Sequence, residues 1–251
     1  MRVDPRPAIV DRRLRDVRRI VAVTGGKGGI GKSSVAVGLA LSLAAEETRV
    51  GLLDLDLWGP SGHVILGIPR PGLHEDGGLV PDVVAGVAFM SIASIIGERP
   101  ALLRGDDITN AILELLAVTI WDELDTLVID MPPGFGDTLL DAARYLPRAE
   151  YVVVTTPSEL TLATTRKTLE LLRSLGLPVL GVVENLVRGA DGGGWRRAGA
   201  GDDLRLLGTI GYDEGYEASL GDPDRLRRTG FFRDVRAVAD ALRGDRLPAG
   251  R

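Results

Sequence analysis

The residues with the clearest chemical meaning form a glycine-rich stretch, GGKGGIGKSS, at positions 25–34. The stretch follows an apolar run and leads into a run with helical character, which is the setting that makes such a loop credible. Gly28, Gly29 and Gly31 allow the backbone to curl tightly, so that successive N–H groups can face one anion. The N-terminus of the next helix adds the positive end of its dipole. A flexible linker would need neither the flanking strand nor this residue order, so the pattern predicts a phosphate-binding loop, or P-loop.

Two lysines of this loop have different predicted roles. Lys32 is expected to reach the β- and γ-phosphates of a nucleotide, and the hydroxyl of Ser33 is expected to ligate Mg²⁺. Lys27 is an addition that a simple P-loop does not require, and the alternative interpretation is a solvated surface lysine. The chain has only three lysines among its 30 basic residues, so two of them in one loop indicate a function for which lysine suits phosphate. The predicted nucleotide-binding residues of the loop are Gly26, Lys27, Gly28, Gly29, Ile30, Gly31, Lys32, Ser33 and Ser34.

Two further segments place aspartates at the ends of apolar strands. In LLDLDLWGPS, residues 52–61, Asp54 and Asp56 stand two residues apart, which puts them on the same side of an extended chain. Such carboxylates could hold Mg²⁺ through water or position an attacking water; the alternative is a solvated turn with an aspartate cap. In TLVIDMPPGFGD, residues 126–137, Asp130 has the Walker B position and is expected to face the magnesium shell. The loop of prolines and glycines after it could sense the γ-phosphate.

Strand-like and helix-like runs alternate along the rest of the chain. Several strands are almost continuously apolar, as strands that are covered on both faces must be. The alternation predicts a three-layer α/β fold, with a mostly parallel sheet of about seven to eight strands and helices on both faces. The carboxyl ends of such strands share one edge, which also collects Thr155–Thr156–Pro157 and Glu184–Asn185. The predicted strands are 20–24, 50–54, 87–91, 126–130, 151–155, 179–184 and 206–210, and the main predicted helices are 32–47, 107–123, 160–175 and 231–243.

A single P-loop ATPase domain is expected over residues 19–245. Residues 1–18 are rich in arginine and predict a short basic lead-in helix, either a solvated flank or a tether for an anionic partner. Residues 188–203 predict a flexible glycine-rich loop, which is either a spacer or, because Trp195 lies beside two arginines, a partner site. Residues 246–251 are expected to form a disordered tail.

The composition excludes several classes of function. The chain of 251 residues contains no cysteine, which excludes disulfides and any thiolate-ligated zinc or iron–sulfur centre within it. A net charge of −5 argues against a general nucleic-acid binder. No apolar stretch reaches the ~20 residues of a membrane span, and the N-terminus lacks the apolar region of a secretion signal. A cytoplasmic protein without membrane attachment is therefore the expectation.

These blocks together resemble the Mrp family of ATPases, which belongs with ParA and MinD in the deviant Walker A class. The GPS sequence after the two aspartates and the PPGxGD loop resemble Mrp proteins more than MinD. The motifs that carry the resemblance are GGKGGIGKSS (25–34), LLDLDLWGPS (52–61), LLRG (102–105), WDELDTLVIDMPPGFGD (121–137), VVVTTPSELTLATTRKT (152–168), GVVENLV (181–187) and LLGTI (206–210).

The resemblance implies a homodimer with two ATP molecules held at its interface. It implies catalytic roles for Lys27, Lys32 and Asp56. Lys27 would contact the nucleotide of the facing subunit, and Asp56 would activate the attacking water. The chain has no NKxD guanine signature, which favours ATP over GTP. The other implied site residues are Ser33, Asp56 and Asp130 for Mg²⁺ and Asn185 for adenine.

The chain departs from the family where Mrp-type proteins usually have a CxxC pair that holds an iron–sulfur cluster between subunits. Residues 188–203 stand there without a cysteine. The expected function is therefore an ATP-hydrolysing switch that assists iron–sulfur or metallocofactor assembly through a cysteine-bearing or metalloprotein client. The alternatives are a positioning switch of the ParA/MinD type and a small-molecule ligase or kinase. The apolar spacing of residues 231–243 favours a helix docked on the sheet over a basic membrane anchor.

Overall fold

The helices and strands are given by a computed structural model that describes residues 4–46, 48–69, 74–96, 106–134, 137–189, 193–197 and 204–244. The strands are β1 (Ile20–Thr24), β2 (Val50–Asp54), β3 (His74–Glu75), β4 (Leu79–Val80), β5 (Asp82–Val84), β6 (Val87–Ser91), β7 (Thr126–Asp130), β8 (Ala149–Thr155), β9 (Val179–Val187) and β10 (Leu206–Gly211). The helices are α1 (Arg6–Arg13), α2 (Lys32–Ala44), α3 (Gly62–Leu66), α4 (Ala93–Ile96), α5 (Asp106–Val118), α6 (Asp137–Tyr145), α7 (Glu159–Ser174), α8 (Gly194–Arg197), α9 (Pro223–Leu226) and α10 (Gly230–Gly244).

Eight strands form one sheet in the order β10–β9–β8–β1–β7–β2–β6–β5. Neighbouring strands are parallel except β5, which runs antiparallel to β6 at one edge. The short strands β3 and β4 pair with each other in a separate hairpin. Because β1 lies between β8 and β7, and β7 lies between β1 and β2, the loops that follow these strands meet at the centre of one sheet edge.

Apolar side chains cover both faces of the sheet. Successive residues of a strand point to opposite faces, so in β1 Ile20 and Ala22 join one core while Val21 and Val23 join the other. The first core lies against α1, α5, α6 and α7, and the second against α2, α3 and α10. This arrangement of helices on both faces of a mostly parallel sheet confirms the predicted fold class.

The lead-in helix belongs to the core of this domain. A helix is confirmed at α1, but Val10, Leu14 and Val17 are buried in the first core. The guanidinium of Arg148 holds the end of the segment by donating to the carbonyl oxygens of Leu14, at 2.6 Å, and Val17, at 3.2 Å. The expectation of a solvated flank therefore applies only to the outward side of α1, because the inner side packs as part of the α/β domain.

Trp195 does not lie on an exposed loop. It is in α8, is 3% exposed and packs in the first core. The carboxylate of Glu184 holds this segment by accepting the backbone N–H of Gly193 at 2.9 Å and of Trp195 at 2.8 Å. Neither predicted role, passive spacer or exposed partner site, therefore fits Trp195. Residues 190–192, 198–203 and 246–251 lie outside the described residues, and the predicted flexibility of loop and tail stays a prediction.

The C-terminal helix is docked on the sheet, as its apolar spacing predicted. Phe231, Val235, Val238 and Leu242 of α10 are buried in the second core. Gly38 of α2 permits this close packing, since a side chain there would meet the Cγ1 atom of Val235 at 3.1 Å. Within the described ranges, no helix is both long and apolar enough to cross a membrane.

Candidate functional site

The glycine-rich loop joins β1 to α2 at the carboxyl edge of the sheet. Gly29 and Gly31 have φ angles of 78° and 77°, in the left-handed region that favours glycine. At Gly31 a side chain would also meet the amide nitrogen Nδ2 of Asn185 at 2.3 Å. Gly31 is the N-cap of α2, and no side chain in the described part of the protein caps this helix. The first N–H groups of α2 therefore remain available for an anion.

Lys32, the first residue of α2, points into the site and is 5% exposed. Its ammonium Nζ lies 2.5 Å from Oδ1 of Asp130 and 3.6 Å from Oδ2 of Asp56. Both carboxylates are buried as well. The sheet brings these residues together. The strand β7, which ends at Asp130, lies between β1, which leads into the P-loop, and β2, which leads to Asp56. Three residues predicted from separate motifs thus converge on one buried cluster.

Asp54, next to this cluster, binds backbone N–H groups and so has a structural role. Its Oδ1 atom accepts the backbone N–H of Asp56 at 3.0 Å, and its Oδ2 atom accepts that of Gly62 at 3.0 Å. β2 ends at Asp54, but Leu53, Leu55 and Leu57 all join the first core, so Asp54 and Asp56 share the opposite side of the chain as expected and differ in their hydrogen-bond partners. Asp54 thus holds the segment from Asp56 to Gly62 through backbone N–H groups. Of these two aspartates, only Asp56 forms an ion pair with Lys32.

The buried carboxylates outnumber the buried cation. Burial and the neighbouring charge of Asp130 raise the pKa of Asp54 to about 7. Burial also raises the pKa of Asp130, against the opposing effects of the Lys32 ammonium and a hydrogen bond with Ser33. Three acids surround one ammonium, so the site is short of positive charge whenever all of them are ionised.

The residues present fit a Mg²⁺ ion bound together with phosphate. The Oδ2 atom of Asp130 is buried and has no hydrogen-bond partner among the described residues. Carboxylate and hydroxyl oxygens such as those of Asp130 and Ser33 are the ligands that Mg²⁺ prefers, and the ion commonly keeps water and phosphate oxygens in its shell. Within the described part, no group of three or more His, Asp or Glu side chains could hold a metal alone. Phosphate oxygens and water would therefore have to complete the shell.

Two clefts open on either side of the P-loop. One, of about 390 Å³, runs from the loop to Asp56, Trp58 and Pro133. The other, of about 440 Å³, runs from the loop towards the ends of β8 and β9. Lys27 lines both clefts, is exposed, and forms no ion pair with any residue that the structure describes. Its side chain is thus accessible to a ligand or to a second molecule.

Asn185 lies near the carboxyl end of β9, in contact with the P-loop, and is 2% exposed. Its Nδ2 atom donates a hydrogen bond to the carbonyl oxygen of Ile30 at 2.9 Å, a contact that the sequence analysis did not anticipate. Its Oδ1 atom is buried and has no partner within the described ranges. The predicted contact with adenine stays a prediction, and the contact with the loop is an additional, structural one.

One further residue at the P-loop was missed. The hydroxyl of Tyr216, in the connection between β10 and α9, donates a hydrogen bond to Oγ of Ser34 at 2.6 Å. No motif or spacing in the sequence singles out this tyrosine, because 182 residues separate the two partners.

Comparison with known proteins agrees with this geometry. Residues 16–191 match the family described as "NUBPL iron-transfer P-loop NTPase", within the ParA group. The chain belongs to this family. The match begins after α1 and contains the P-loop, Asp56, Asp130 and Asn185. The resemblance to Mrp-type ATPases is confirmed by this result and by the relatives.

The relatives of this NTPase with curated names include several iron–sulfur proteins. The "Iron-sulfur cluster carrier protein" of Pseudomonas fragi is 48% identical over 177 residues, which are 69% of this chain and 62% of that protein. The protein of the same name in Escherichia coli (strain K12) is 42% identical, over 69% of this chain and 48% of that protein. An Arabidopsis thaliana "Iron-sulfur protein required for NADH dehydrogenase, mitochondrial" is 34% identical over 85% of this chain and 75% of its own length. The chain thus spans 48% to 62% of the length of these two bacterial carrier proteins, less than two-thirds of either.

Solved structures of similar fold include nucleotide-bound proteins. The nucleotide-binding protein of Archaeoglobus fulgidus in complex with ADP superimposes with a TM-score of 0.72 at 29% identity, over 90% of this chain and 94% of that one. The cell division ATPase MinD of Pyrococcus furiosus superimposes with a TM-score of 0.69 at 22% identity, over 91% of this chain and 99% of that one. The MinD likeness shows the shared fold of this NTPase family.

Proposed function

We propose that this chain is a Mg²⁺-dependent ATPase that acts as a homodimeric switch in the assembly of iron–sulfur clusters or other metallocofactors. The observation that carries the ATPase part is the buried ammonium of Lys32, held between Asp130 and Asp56 at the uncapped start of α2. A fixed cation, free helix N–H groups and carboxylates together suit a polyphosphate bound with Mg²⁺. The ADP complex of the Archaeoglobus fulgidus protein, at 29% identity, supports a nucleotide as the ligand.

Each side chain of the cluster has a distinct role in this proposal. Lys32 binds the β- and γ-phosphates, while the N–H groups of residues 26–34 surround them. Asp56 orients the attacking water as a general base. Its loop is held in place because its Oδ1 atom accepts the N–H groups of Trp58 and Gly59, both at 3.2 Å. The residues that would hold Mg²⁺ are Ser33, Asp56 and Asp130.

The bound Mg²⁺ would supply positive charge to the phosphate oxygens as negative charge develops on them. The excess of buried acids supports this role, since the ion would also balance the charge that Lys32 leaves uncompensated. For the base, the unpartnered Oδ1 atom of Asn185 supports a contact with adenine, because it could accept an N–H of the purine amino group.

The exposure of Lys27 supports a site that is completed by a second subunit. A lysine that served its own phosphate loop would be expected near Asp56 or Asp130, where the ammonium of Lys32 already lies. Lys27 instead stands at the accessible tip of the loop. In a homodimer it would reach the nucleotide of the partner and stabilise charge during phosphoryl transfer, in the manner of an arginine finger.

The proposed role in iron–sulfur or metallocofactor assembly is supported by the names of the relatives, and the absence of cysteine limits what this chain can do in it. The bacterial relatives are named as iron–sulfur cluster carriers. This chain has no cysteine, so it has no thiolate for a cluster. We therefore propose that a cysteine-bearing or metal-bearing client holds the cluster, and that nucleotide state controls the association with that client.

The substitution Lys32→Met tests the ATPase part. It removes the ammonium and retains an unbranched side chain, and we expect no measurable ATP binding by isothermal titration calorimetry. Lys167→Met, on the exposed side of α7, is the matched control and should bind ATP as the parent does. Unchanged affinity of the Lys32 variant would remove the proposed function.

A tagged pull-down from the native cell, with and without ATP, tests the assembly part. Clients that carry cysteines or metal, and whose capture depends on ATP, are the expected result. Capture of DNA or of septum-positioning proteins would instead favour a positioning switch of the ParA/MinD type.

A further inference from the structure

The hydrogen bond between Tyr216 and Ser34 joins the C-terminal part of the chain to the P-loop. Ser34 is the third residue of α2, directly after the serine assigned to Mg²⁺, and it lines the cleft that leads to Asp56. Tyr216 donates from its hydroxyl to Oγ of Ser34 at 2.6 Å. The bond therefore links a side chain of the proposed phosphate site to a residue that lies outside the motifs singled out in the sequence.

The tyrosine ring is held firmly in place for this contact. One side packs against Phe231, with 4.7 Å between the ring centroids and a tilt of 59°. The carbonyl oxygen of Tyr216 accepts two hydrogen bonds from Ser219, one from its backbone N–H at 3.0 Å and one from the serine hydroxyl at 2.6 Å. Asp213 fixes the base of the turn, since its carboxylate accepts the N–H of Phe231 at 2.9 Å. The hydroxyl thus meets Ser34 from a prearranged position.

The direction of this bond determines what Ser34 can offer a ligand. The phenol of Tyr216 is protonated at neutral pH, and burial raises its pKa further, so its hydroxyl can donate the hydrogen bond to Ser34. When the oxygen of Ser34 accepts this hydrogen bond, its own hydrogen is left for another acceptor, and the first bond strengthens the second. The acceptor available in the cleft is the phosphate chain that the proposed function places there.

We propose that Tyr216 is a positioning residue for nucleotide binding, which fixes the hydroxyl of Ser34 so that it donates to the phosphate chain. The inference rests on the proposed function, because it requires a nucleotide in the P-loop. Ser34 is not one of the groups assigned to hydrolysis, Asp56 and Lys27, so Tyr216 is expected to contribute to binding of the phosphates that ADP and ATP share.

The test is the affinity of Tyr216→Phe for ADP and for the non-hydrolysable analogue AMPPNP, each with Mg²⁺, by calorimetry. Phenylalanine keeps the ring against Phe231 and removes only the hydroxyl. We expect both affinities to fall about fivefold, and by the same factor, as for the loss of one hydrogen bond. Tyr212→Phe is the matched control: its ring is 46% exposed under the guanidinium of Arg188, and we expect unchanged affinities.

A double-mutant cycle separates positioning from a merely structural role. If Tyr216 acts through Ser34, the double variant Ser34→Ala/Tyr216→Phe should bind no more weakly than Ser34→Ala alone. Additive losses, a loss confined to AMPPNP, or unchanged affinity of Tyr216→Phe would overturn the inference while leaving the proposed function intact. Failure of the parent protein to bind either nucleotide would instead remove the proposed function, and this inference with it.

Discussion

Removing the ammonium of Lys32 should destabilise the folded protein even without nucleotide. The variant Lys32→Met leaves Asp130 buried, with its side chain only 2% exposed and without the cation that lies 2.5 Å away in the parent. Breaking one partner out of a buried ion pair typically costs about 3–5 kcal/mol, because the remaining charge is uncompensated. We therefore expect a large loss in the free energy of unfolding at neutral pH.

Protonation of the carboxyl group sets an upper limit to this loss and makes it depend on pH. In the unfolded chain the pKa of Asp130 is close to the ordinary 3.8. At about 1.4 kcal/mol per pH unit, protonating the group costs about 4 kcal/mol at pH 7 but only about 2 kcal/mol at pH 5. Because the folded variant binds this proton more tightly than the unfolded chain, its stability falls as pH rises from about 4 towards the folded-state pKa. The pKa of Asp130 is already raised in the parent, so part of this pH dependence is common to both proteins, and the deficit should shrink by up to about half between pH 7 and pH 5.

Urea unfolding of the nucleotide-free protein at the two pH values measures this effect. Lys167→Met is the control for loss of a surface lysine and should change stability by less than about 0.5 kcal/mol. The double variant Lys32→Met/Asp130→Asn should recover much of the loss, because the isolated charge is gone. A Lys32→Met protein as stable as the parent at pH 7, or equally destabilised at both pH values, would refute this account of the buried cluster.

Two further substitutions test separate parts of the site and core. Asp56→Ala should still bind ATP but lose turnover by about a hundredfold or more in a phosphate-release assay, since it removes the general base; hydrolysis at the parental rate would exclude that role. Trp195→Ala should lower the free energy of unfolding by about 3–5 kcal/mol because it empties a buried site, whereas Trp58→Ala, at 66% exposure, should change it by less than about 0.5 kcal/mol. Equal stability of both tryptophan variants would contradict the packing of α8.

The sequence predicted best the strands that are covered by helices on both faces of the sheet. The bounds of β1, β2, β6 and β7 agree with the prediction to the residue, because buried parallel strands are uninterrupted apolar runs ended by polar residues. The edge strand β5 and the hairpin β3–β4 were missed. Each has only two or three residues, too few for a periodic pattern.

The chemistry of the P-loop, Asp56 and Asp130 could be predicted from motifs, but the contacts that position these groups could not. Asp54 and Asp56 look equivalent in the sequence, and only their partners in the fold, backbone N–H groups for Asp54 and the ammonium of Lys32 for Asp56, give the two carboxylates different roles. Tyr216 and Ser34 are distant in sequence and meet only because the tertiary fold brings α2 and the segment after β10 together. Trp195 stands in a polar, glycine-rich segment, so its local sequence indicated a loop although the indole is buried.

The central claim is an ATP site that a second subunit completes with Lys27. It is tested most directly by mixing two inactive variants, Lys27→Ala and Asp56→Ala, and measuring phosphate release. A mixed dimer has one site with an intact Asp56 and the partner's Lys27, so we expect about a quarter of the parental rate from an equal mixture that pairs at random. A mixture as inactive as its two components would contradict the claim, because Lys27 would then serve its own subunit or no site at all.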